Sequence, residues 1–236
     1  MIELNNIIHS YKDKAVFNDF SLNIESGKLT CLLGDSGSGK TTILRVIAGL
    51  EIPTKGDVVI DNKTLTSDSN IEIEANKRNI GFIFQDLALW PHFTVYKNIA
   101  FGLKEQNAED IKQTVNDILT QFGIEEHINK YPHQLSGGQK QLVAIARSLV
   151  LKPQILLMDE PLSNLDVKLK RKLLEHIKTI KQQYDLTIIY VTHDHREAFE
   201  IADNIVVLNN GEVEDSGNVE HIKSSDNEYV KYFLEY

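Results

Sequence analysis

The amino-acid sequence predicts an α/β fold, with a mostly parallel β-sheet, an antiparallel β part at its N-terminus and an inserted lobe of helices. Three patterns along its 236 residues support this prediction. Apolar and polar residues alternate through residues 1–33, as they do in strands that are buried on one face. Residues 95–130 show a helical and more polar pattern, without a convincing strand. In the remainder, strand-like and helical segments follow one another, which is typical of a parallel sheet that binds ligands at the carboxyl ends of its strands.

The part before the lobe contains the predicted antiparallel strands and one helix. A turn at Ser26 and Gly27 divides the second strand segment, and Gly49 and Pro53 end the helix. The predicted elements of this part are strands at 1–11 and 17–34, a helix at about 40–50, and short strands at 56–61 and 79–84.

The part after residue 138 supplies the remaining strands of the predicted parallel sheet. Its predicted elements are a helix at 139–150, a buried strand at 154–160, a helix at 166–184, a strand at 186–193, and a tail with a hairpin at 204–217 and a short terminal helix. The sequence has neither an internal repeat nor a low-complexity linker, so we expect a single domain over residues 1–236. Within it, we expect the sheet-containing core at about 1–94 and 150–236, and the helical lobe at about 95–149.

Composition and charge exclude several classes of protein. The hydrophobic share of 42% and the charged share of 25% are those of a globular protein. A net charge of -9 argues against a general nucleic-acid surface, which needs clustered Lys and Arg. No apolar run approaches the ~18 residues of a membrane helix, and the first ten residues lack a signal-peptide pattern, so we expect a cytoplasmic protein. The single cysteine, Cys31, lies in an apolar run and is interpreted as a buried structural thiol.

A glycine-rich stretch lies between the strand predicted at 17–34 and the following helix. Gly34, Gly39, Lys40 and Thr41 match the pattern G-x-x-x-x-G-K-[ST] in the strand-to-helix context that a P-loop requires. In a P-loop the backbone N–H groups surround the β-phosphate, the lysine reaches the β- and γ-phosphates, and the hydroxyl can bind Mg²⁺. The stretch therefore predicts a nucleotide site. Its predicted nucleotide-binding residues are Gly34, Asp35, Ser36, Gly37, Ser38, Gly39, Lys40, Thr41 and Thr42.

Two acidic residues end the buried strand predicted at 154–160. Asp159 is placed to hold Mg²⁺ through water, as the carboxylate at this strand end does in P-loop proteins. Glu160 follows directly and is well placed to polarise an attacking water molecule. The pair therefore predicts hydrolysis of the nucleotide in addition to its binding.

A second glycine-rich stretch, at 135–140, raises the question of why one small chain should carry two phosphate-binding loops. This stretch has no lysine in P-loop position and follows no strand, so it forms at most half of a nucleotide site. Ser136, the N–H groups of Gly137 and Gly138, and the start of the helix that follows suit a γ-phosphate. If this helix lies away from the chain's own P-loop, its ligand would be a nucleotide bound to a second copy.

The order of these motifs closely resembles the nucleotide-binding subunit of an ATP-binding cassette (ABC) transporter, over essentially the whole chain. The stretch from Leu135 to Gln139 is similar to the family's LSGGQ signature. The resemblance implies that the nucleotide is ATP with Mg²⁺, that the core is RecA-like, and that the whole chain is one ABC ATPase domain. It also implies that ATP is bound by Ser136, Gly137, Gly138 and Gln139 of a second copy.

The resemblance assigns roles to further residues. Tyr11 falls where the family stacks an aromatic ring on adenine. Gln85 matches the Q-loop glutamine that touches Mg²⁺ and water, and His193 matches the histidine that contacts the γ-phosphate. Residues 163–166 match the D-loop, which makes Asp166 a predicted ATP-binding residue, although its position also suits the N-cap of the helix at 166–184.

The resemblance further implies partners and a location. ATP would be sandwiched between two subunits, most simply two identical chains, which drive integral-membrane permease subunits made as separate polypeptides. The chain would then lie peripherally on the inner face of the cell membrane. The sequence of residues 85–103 resembles that of importers of iron(III), polyamines, sugars and inorganic anions. This stretch could form a groove for a permease helix or part of the lobe's core.

Two other functions remain open at this stage, a soluble ABC ATPase of ribosomes or DNA repair and a nucleotide-binding switch without turnover. The sequence shows neither two fused cassettes nor a long coiled-coil insertion, and Glu160 favours turnover. The sequence departs from the family at Leu142, where arginine is most common, so local packing of that helix is expected to differ. We also expect no regulation through an appended domain, because the sequence ends at residue 236.

Overall fold

The strands of this computed structural model form two sheets among the residues that it describes, which are 1–12, 14–103, 107–163 and 165–235. The strands are β1 (Ile2–Tyr11), β2 (Lys14–Ile24), β3 (Leu29–Leu33), β4 (Lys55–Ile60), β5 (Lys63–Ser67), β6 (Asn70–Ile71), β7 (Ile80–Ile83), β8 (Ile155–Asp159), β9 (Thr187–Val191), β10 (Asn204–Asn209) and β11 (Glu212–Gly217). The helices are α1 (Lys40–Ala48), α2 (Val95–Ala100), α3 (Ala108–Phe122), α4 (Gly137–Leu149), α5 (Val167–Tyr184), α6 (His195–Ile201), α7 (Val219–Lys223) and α8 (Glu228–Glu235).

The larger sheet has the strand order β11-β10-β3-β9-β8-β7. Neighbouring strands from β10 to β7 pair in parallel, and β11 joins the edge antiparallel to β10. Every residue of β3, β8 and β9 is buried, which explains why these strands read as continuous apolar runs rather than as alternating patterns. Successive side chains enter different cores: Leu32 packs on the side of the antiparallel sheet, and Cys31 packs on the other side.

The antiparallel sheet has the order β2-β1-β4-β5-β6 and covers one face of the parallel sheet, with α1 packed between them. Ile2 and Leu4 of β1 are both 1% exposed, as the alternating pattern predicts. The pairing register shifts between Leu4 and Ile7, and Asn6 adopts a left-handed backbone with φ of 51°. This bulge returns Ile7 to the buried face, so the alternation continues after one extra residue.

The helical lobe packs α2, α3 and α4 against one another, and α4 also contacts β7 of the parallel sheet. Asn98 of α2 is fully buried, and its amide group bonds the backbone of Trp90, Phe93 and Thr94. A single side chain thus fixes the segment by which the chain enters the lobe from β7. The lobe and the core share one apolar cluster, which includes Val143 and Leu156.

The predicted strands and helices are confirmed, with boundaries that shift by a few residues. The second strand segment starts at Lys14, and α1 ends where Gly49 takes a left-handed conformation with φ of 73°. The sequence reasoning missed β5, β6, α6 and α7, which are short elements without a clear apolar period. In the described part of the chain, no helix combines the length and apolarity needed to cross a membrane.

Candidate nucleotide-binding site

The predicted P-loop connects β3 to α1, at the carboxyl end of a central parallel strand. Gly34, Gly37 and Gly39 have φ values of 148°, 88° and 103°, which side chains rarely permit. A Cβ atom at Gly34 would lie 2.1 Å from the Leu208 carbonyl oxygen, and one at Gly39 would lie 2.7 Å from the Phe17 ring. The glycines are therefore required by the loop's path and by its close contact with the core.

Lys40 begins α1 and turns its ammonium group into the loop. The residue is 6% exposed, and Nζ donates to the carbonyl oxygens of Gly34 and Asp35, both at 2.7 Å. Burial lowers the pKa of Lys40, while the nearby charges of Glu160, Asp35 and Asp159 act in the opposite direction. The ammonium group is thus held in place by the loop's own backbone.

Thr41 and Asp159 bring two oxygen ligands together beside the loop. Thr41 Oγ1 donates to Asp159 Oδ1 at 2.9 Å. Burial raises the pKa of Asp159, and the hydrogen bond from Thr41 opposes this rise. Mg²⁺ prefers oxygen ligands and is commonly held by one or two protein groups together with substrate phosphates. The pair therefore fits Mg²⁺ bound with a nucleotide, although the described residues include no group of three or more His, Cys, Asp or Glu that could hold a metal ion by itself.

The three predicted catalytic residues meet at the carboxyl ends of neighbouring strands. Glu160 follows β8 with φ of 42°, and its N–H donates to the Val191 carbonyl at 3.0 Å. Glu160 Oε2 lies 3.2 Å from His193 Nδ1. Gln85 Nε2 donates to the same oxygen at 3.5 Å, the outer limit of a hydrogen bond. The structure brings these side chains together, and their catalytic roles remain predictions.

Tyr11 lies at the end of β1 and lines the same cleft as Glu160. Its ring is 44% exposed, and its hydroxyl donates to Glu51 and lies 3.3 Å from Thr42 Oγ1. Burial and the hydrogen bond to Glu51 raise the pKa of Tyr11. Arg45 donates to Glu51 at 3.0 Å, and His9 lies 3.2 Å from it. The sequence reasoning missed Glu51, His9 and Arg45, because their only link to the site is contact in space.

A cleft of about 600 Å³ joins these groups and is of a size that suits a small-molecule ligand. The predicted residues that line it are Tyr11, Ser36, Gly37, Gly39, Lys40, Thr41, Thr42, Gln85, Glu160 and His193. Gly34, Asp35, Ser38 and Asp159 adjoin the cleft through contacts with Lys40 and Thr41. The cleft also includes Lys14, Ala15, Val16 and Asn210, for which the sequence carried no signal.

The LSGGQ stretch lies at the start of α4, and its residues are not among those that line the described cleft. Ser136 is exposed and caps α4: its Oγ accepts from Gln139 N at 3.3 Å, while Gln139 Oε1 accepts from Ser136 N at 2.8 Å. Gly137 is exposed as well. Gly138 is buried, and a Cβ atom there would lie 2.8 Å from a methyl carbon of Leu169 in α5. The stretch is therefore held by its own cap and by packing on α5, and it lies outside the lining of the chain's own P-loop cleft.

Asp166 and Asp35 have structural partners in addition to their predicted ATP-binding roles. Asp166 Oδ1 accepts from Leu169 N at 3.0 Å, so Asp166 caps α5, as its position also suggested. Asp35 Oδ2 accepts from the hydroxyl of Tyr229 in α8 at 2.9 Å. Asn164, which also belongs to the predicted D-loop, lies outside the described residues. Leu142 packs against the main apolar cluster, where arginine was expected from the family.

The fold and the site define a nucleotide-binding protein of the P-loop class. Within that class, a family model described as ABC transporter matches residues 17–163, and the chain belongs to this family. The predicted resemblance and the predicted fold class are thereby confirmed.

Curated relatives with import functions in their names match most of this chain. It is 44% identical over 94% of its length to the sulfate/thiosulfate import ATP-binding protein CysA of Synechocystis sp.. It is 43% identical over 92% of its length to the Fe(3+) ions import ATP-binding protein FbpC of Photobacterium profundum. It is 45% identical over 90% of its length to the spermidine/putrescine import ATP-binding protein PotA of Thermotoga maritima. The chain spans 61%, 61% and 57% of these relatives' own lengths.

Solved structures of ATP-binding cassettes match the fold. A dimeric structure of the cassette MJ0796 in a post-hydrolysis state, bound to ADP and Pi, superposes with a TM-score of 0.82 at 34% identity, covering 93% of this chain and 99% of that chain. A dimeric structure of MJ0796 described as a bacterial ABC transporter cassette superposes with a TM-score of 0.83 at the same identity and coverage.

Proposed function

We propose that this chain is an ATP-hydrolysing, nucleotide-binding subunit of an ABC importer, which pairs with a second copy on ATP and drives a separate membrane permease. One observation carries this proposal: a single cleft unites the P-loop lysine Lys40, the Thr41–Asp159 pair and the contact between Glu160 and His193. The named relatives are import ATP-binding proteins, which favours transport over action on ribosomes or DNA.

Binding would depend on the P-loop and on the groups around it. The loop's N–H groups and Lys40 would hold the phosphates, and the ring of Tyr11 would stack on adenine. Thr41, Asp159 (through water) and Gln85 would hold Mg²⁺, which neutralises charge on the phosphates when it is bound. The proposed ATP-binding residues of this chain's own cleft are Tyr11, Gly34, Asp35, Ser36, Gly37, Ser38, Gly39, Lys40, Thr41 and Thr42.

Hydrolysis would depend on Glu160, His193 and Gln85. Glu160 is placed to accept a proton from the attacking water, because its carboxylate lies at the end of β8 and faces the cleft. The Glu160 carboxylate and the γ-phosphate are both acceptors, and a neutral imidazole has a single N–H donor, so a neutral His193 would donate to one of them at a time. Gln85, whose amide donates to the same Glu160 oxygen that His193 contacts, would help to orient the water.

The second half of each ATP site would come from a partner copy. Ser136 and Gly137 are exposed at the start of α4 and suit the γ-phosphate of ATP that is bound to the other chain. Gly138, Gln139 and Asp166 complete the proposed contact from the partner. The dimeric cassettes among the structural neighbours support this arrangement, and an identical partner chain is the simplest one.

A groove beside the lobe supports the proposed permease contact. It has a volume of about 710 Å³, and Trp90, Phe101 and Leu151 contribute to its wall. The Trp90 and Phe101 ring centroids are 4.4 Å apart, and the Arg147 guanidinium lies 5.0 Å from the Trp90 centroid. An apolar groove of this kind suits a short amphipathic helix. We therefore propose that a permease helix binds in this groove. The groove would lie where a core at about 1–94 and 150–236 meets a lobe at about 95–149. The chain would then be cytoplasmic and bound to the inner face of the membrane through the permease.

The relatives' names differ in cargo, so the proposal stops at import. The named cargoes are sulfate or thiosulfate, Fe³⁺ and the polyamines spermidine and putrescine, while all three relatives are named import ATP-binding proteins. Cargo selection in such a system would belong to the permease and its binding protein.

Steady-state phosphate release tests the proposed hydrolysis. We expect release from ATP that needs Mg²⁺, and a decrease of about 10²–10⁴-fold in Glu160→Gln, because the amide keeps the shape of the site but removes the base. ATP affinity, measured by calorimetry, should be retained in this variant. No Mg²⁺-dependent release by the wild type, with or without permease, would favour a nucleotide-binding switch instead, whereas equal release by both proteins would contradict Glu160 as the base.

A further inference from the structure

A buried carboxylate, Glu197 of α6, is hydrogen-bonded to the loop that carries His193. Glu197 is 5% exposed. Its Oε2 accepts hydrogen bonds from the Tyr190 hydroxyl at 2.8 Å and from Thr192 Oγ1 at 3.0 Å, and its Oε1 accepts from Lys170 Nζ at 2.7 Å. A buried carboxylate is tolerated only when it has such partners, so the groups around it are fixed relative to one another.

Thr192 transmits this constraint to the residues on both sides of His193. Thr192 is 2% exposed, and its hydroxyl donates to Glu197 while it accepts from Asp194 N at 3.0 Å. Asp194 in turn caps α6, because its Oδ1 accepts from Arg196 N at 2.9 Å. The backbone around His193 is therefore tied to Glu197 by a short chain of hydrogen bonds.

Lys170 connects the same carboxylate to α5. Lys170 lies in the first turns of this helix, where its N–H donates to the Asp166 carbonyl at 2.9 Å. Its Nζ also lies 3.7 Å from Asp194 Oδ2. Burial alone would lower the pKa of Lys170, but the hydrogen bond and charge of Glu197, with Asp194, raise it. The lysine therefore stays charged and joins the start of α5 to the loop of His193.

We propose that Glu197 and Lys170 are positioning residues that couple the start of α5 to the placement of His193. The pair does not line the cleft, so it would act through Thr192 and the loop. Under the proposed function, on which the effect on hydrolysis rests, the start of α5 faces the partner copy. A displacement of α5 by the partner would then be transmitted to His193 through Lys170, Glu197 and Thr192.

A second lysine of α5 provides a matched control. Lys181 Nζ lies 2.6 Å from Asp203 Oδ2, and this oxygen also accepts from Leu29 N at 2.7 Å. Burial would raise the pKa of Asp203, but the Leu29 N–H and Lys181 lower it. The lysine side chains of the two pairs are equally exposed, at 20% for Lys170 and 21% for Lys181, while the carboxylate side chains are 6% exposed for Glu197 and 35% for Asp203. Lys181, however, lies in the last turn of α5, and among the described residues no hydrogen bond or ion pair joins Asp203 to residues 190–196.

The test compares Glu197→Gln and Thr192→Val with the control Asp203→Asn, by ATP affinity, kcat and hydrogen exchange of the amides at 190–196. For both test variants we expect ATP Kd to stay within about twofold and kcat to fall roughly 10–100-fold, since misplacement of a reacting group by about 1 Å has effects of this size. Exchange at 190–196 should become faster in both test variants and stay unchanged in Asp203→Asn. In a His193→Ala background, Glu197→Gln should lower kcat no further.

Thr192→Val keeps the Lys170–Glu197 pair, so this variant tests whether Glu197 positions the loop of His193 even if Glu197→Gln does not fold. Wild-type kcat and exchange in Thr192→Val would overturn the proposal, as would a full additional loss of kcat in the His193→Ala background. A wild-type chain without hydrolysis would instead contradict the proposed function. In that case hydrogen exchange in Thr192→Val still decides whether Glu197 positions the loop.

Discussion

The two glycine-rich stretches, 34–42 and 135–140, have similar composition but different structural requirements. In the first, Gly34 and Gly39 have left-handed backbones, and the loop encloses the ammonium group of Lys40. In the second, the chain enters α4 directly, and Ser136 with Gln139 caps the helix. Glycine is required in the first stretch by backbone conformation, and at Gly138 by the side chain of Leu169. The first has the backbone of a complete P-loop, whereas the second is an exposed helix start, which we propose meets a second chain.

The largest effect is expected where the second stretch meets the partner. Glu160→Gln should accumulate as a dimer when ATP is added, because ATP that is not hydrolysed binds both half-sites and shifts the population by mass action. Adding Ser136→Arg places bulk at the proposed γ-phosphate position, so the double variant should bind ATP yet remain monomeric. Light scattering after size exclusion measures the state.

The control for added bulk and charge is Asn129→Arg, at an exposed residue of the same lobe. Paired with Glu160→Gln, it should still give the ATP-dependent dimer. ADP should give no dimer in any variant, because it lacks the γ-phosphate. An ATP-dependent dimer that survives Ser136→Arg would show that 135–140 does not form the second half-site.

The second prediction separates the two requirements for glycine. Gly39→Ala should lower the free energy of unfolding by roughly 2–4 kcal/mol, from left-handed strain together with contact with Phe17. Gly138→Ala should cost about 1–3 kcal/mol, because it only overpacks against Leu169. Urea unfolding measures both values.

Compensation makes this comparison sharper. Leu169→Ala should relieve Gly138→Ala, so the double variant loses less stability than the sum of the single ones. Phe17→Ala should leave most of the loss in Gly39→Ala, since the backbone strain remains. Equal relief at both positions would contradict the distinction.

The third prediction concerns the lysine of the first stretch. Lys40→Ala should weaken ATP binding roughly 10- to 150-fold, the equivalent of one lost charge-assisted hydrogen bond to phosphate. Calorimetry in the Glu160→Gln background avoids turnover. Lys14→Ala is the control, since Lys14 lines the same cleft without an assigned phosphate contact, and it should change Kd far less. Equal effects of both variants would mean that Lys40 contributes only its positive charge and makes no specific contact with phosphate.

The sequence predicted the residues whose role depends on local spacing. Gly34, Gly39, Lys40 and Thr41 follow one another along a strand-to-helix turn, so their spacing alone places them together. Asp159 and Glu160 end a buried apolar strand, and parallel strands end at one edge of the sheet. These parts of the site follow from the pattern because few other arrangements of the chain are compatible with it.

The residues that the sequence reasoning missed are connected to the site only through space. Glu51 reaches Tyr11 across 40 positions of the sequence, and Tyr229 reaches Asp35 across 194. Glu197 lies in α6, which the sequence reasoning missed, and its burial and its hydrogen bond with Thr192 distinguish it. Such contacts depend on how helices dock on the sheet, which local propensity and period do not determine.

The cap of α4 has a consequence for the cost of association. As a helix cap, the Ser136 hydroxyl accepts from Gln139 N, so its own proton is left for an oxygen of an incoming ligand. The Gln139 side chain holds the Ser136 backbone at the same time. Under the proposed function, a second chain would meet a hydroxyl donor on a backbone that is already held, and little conformational entropy would remain to be lost when the two chains close on ATP.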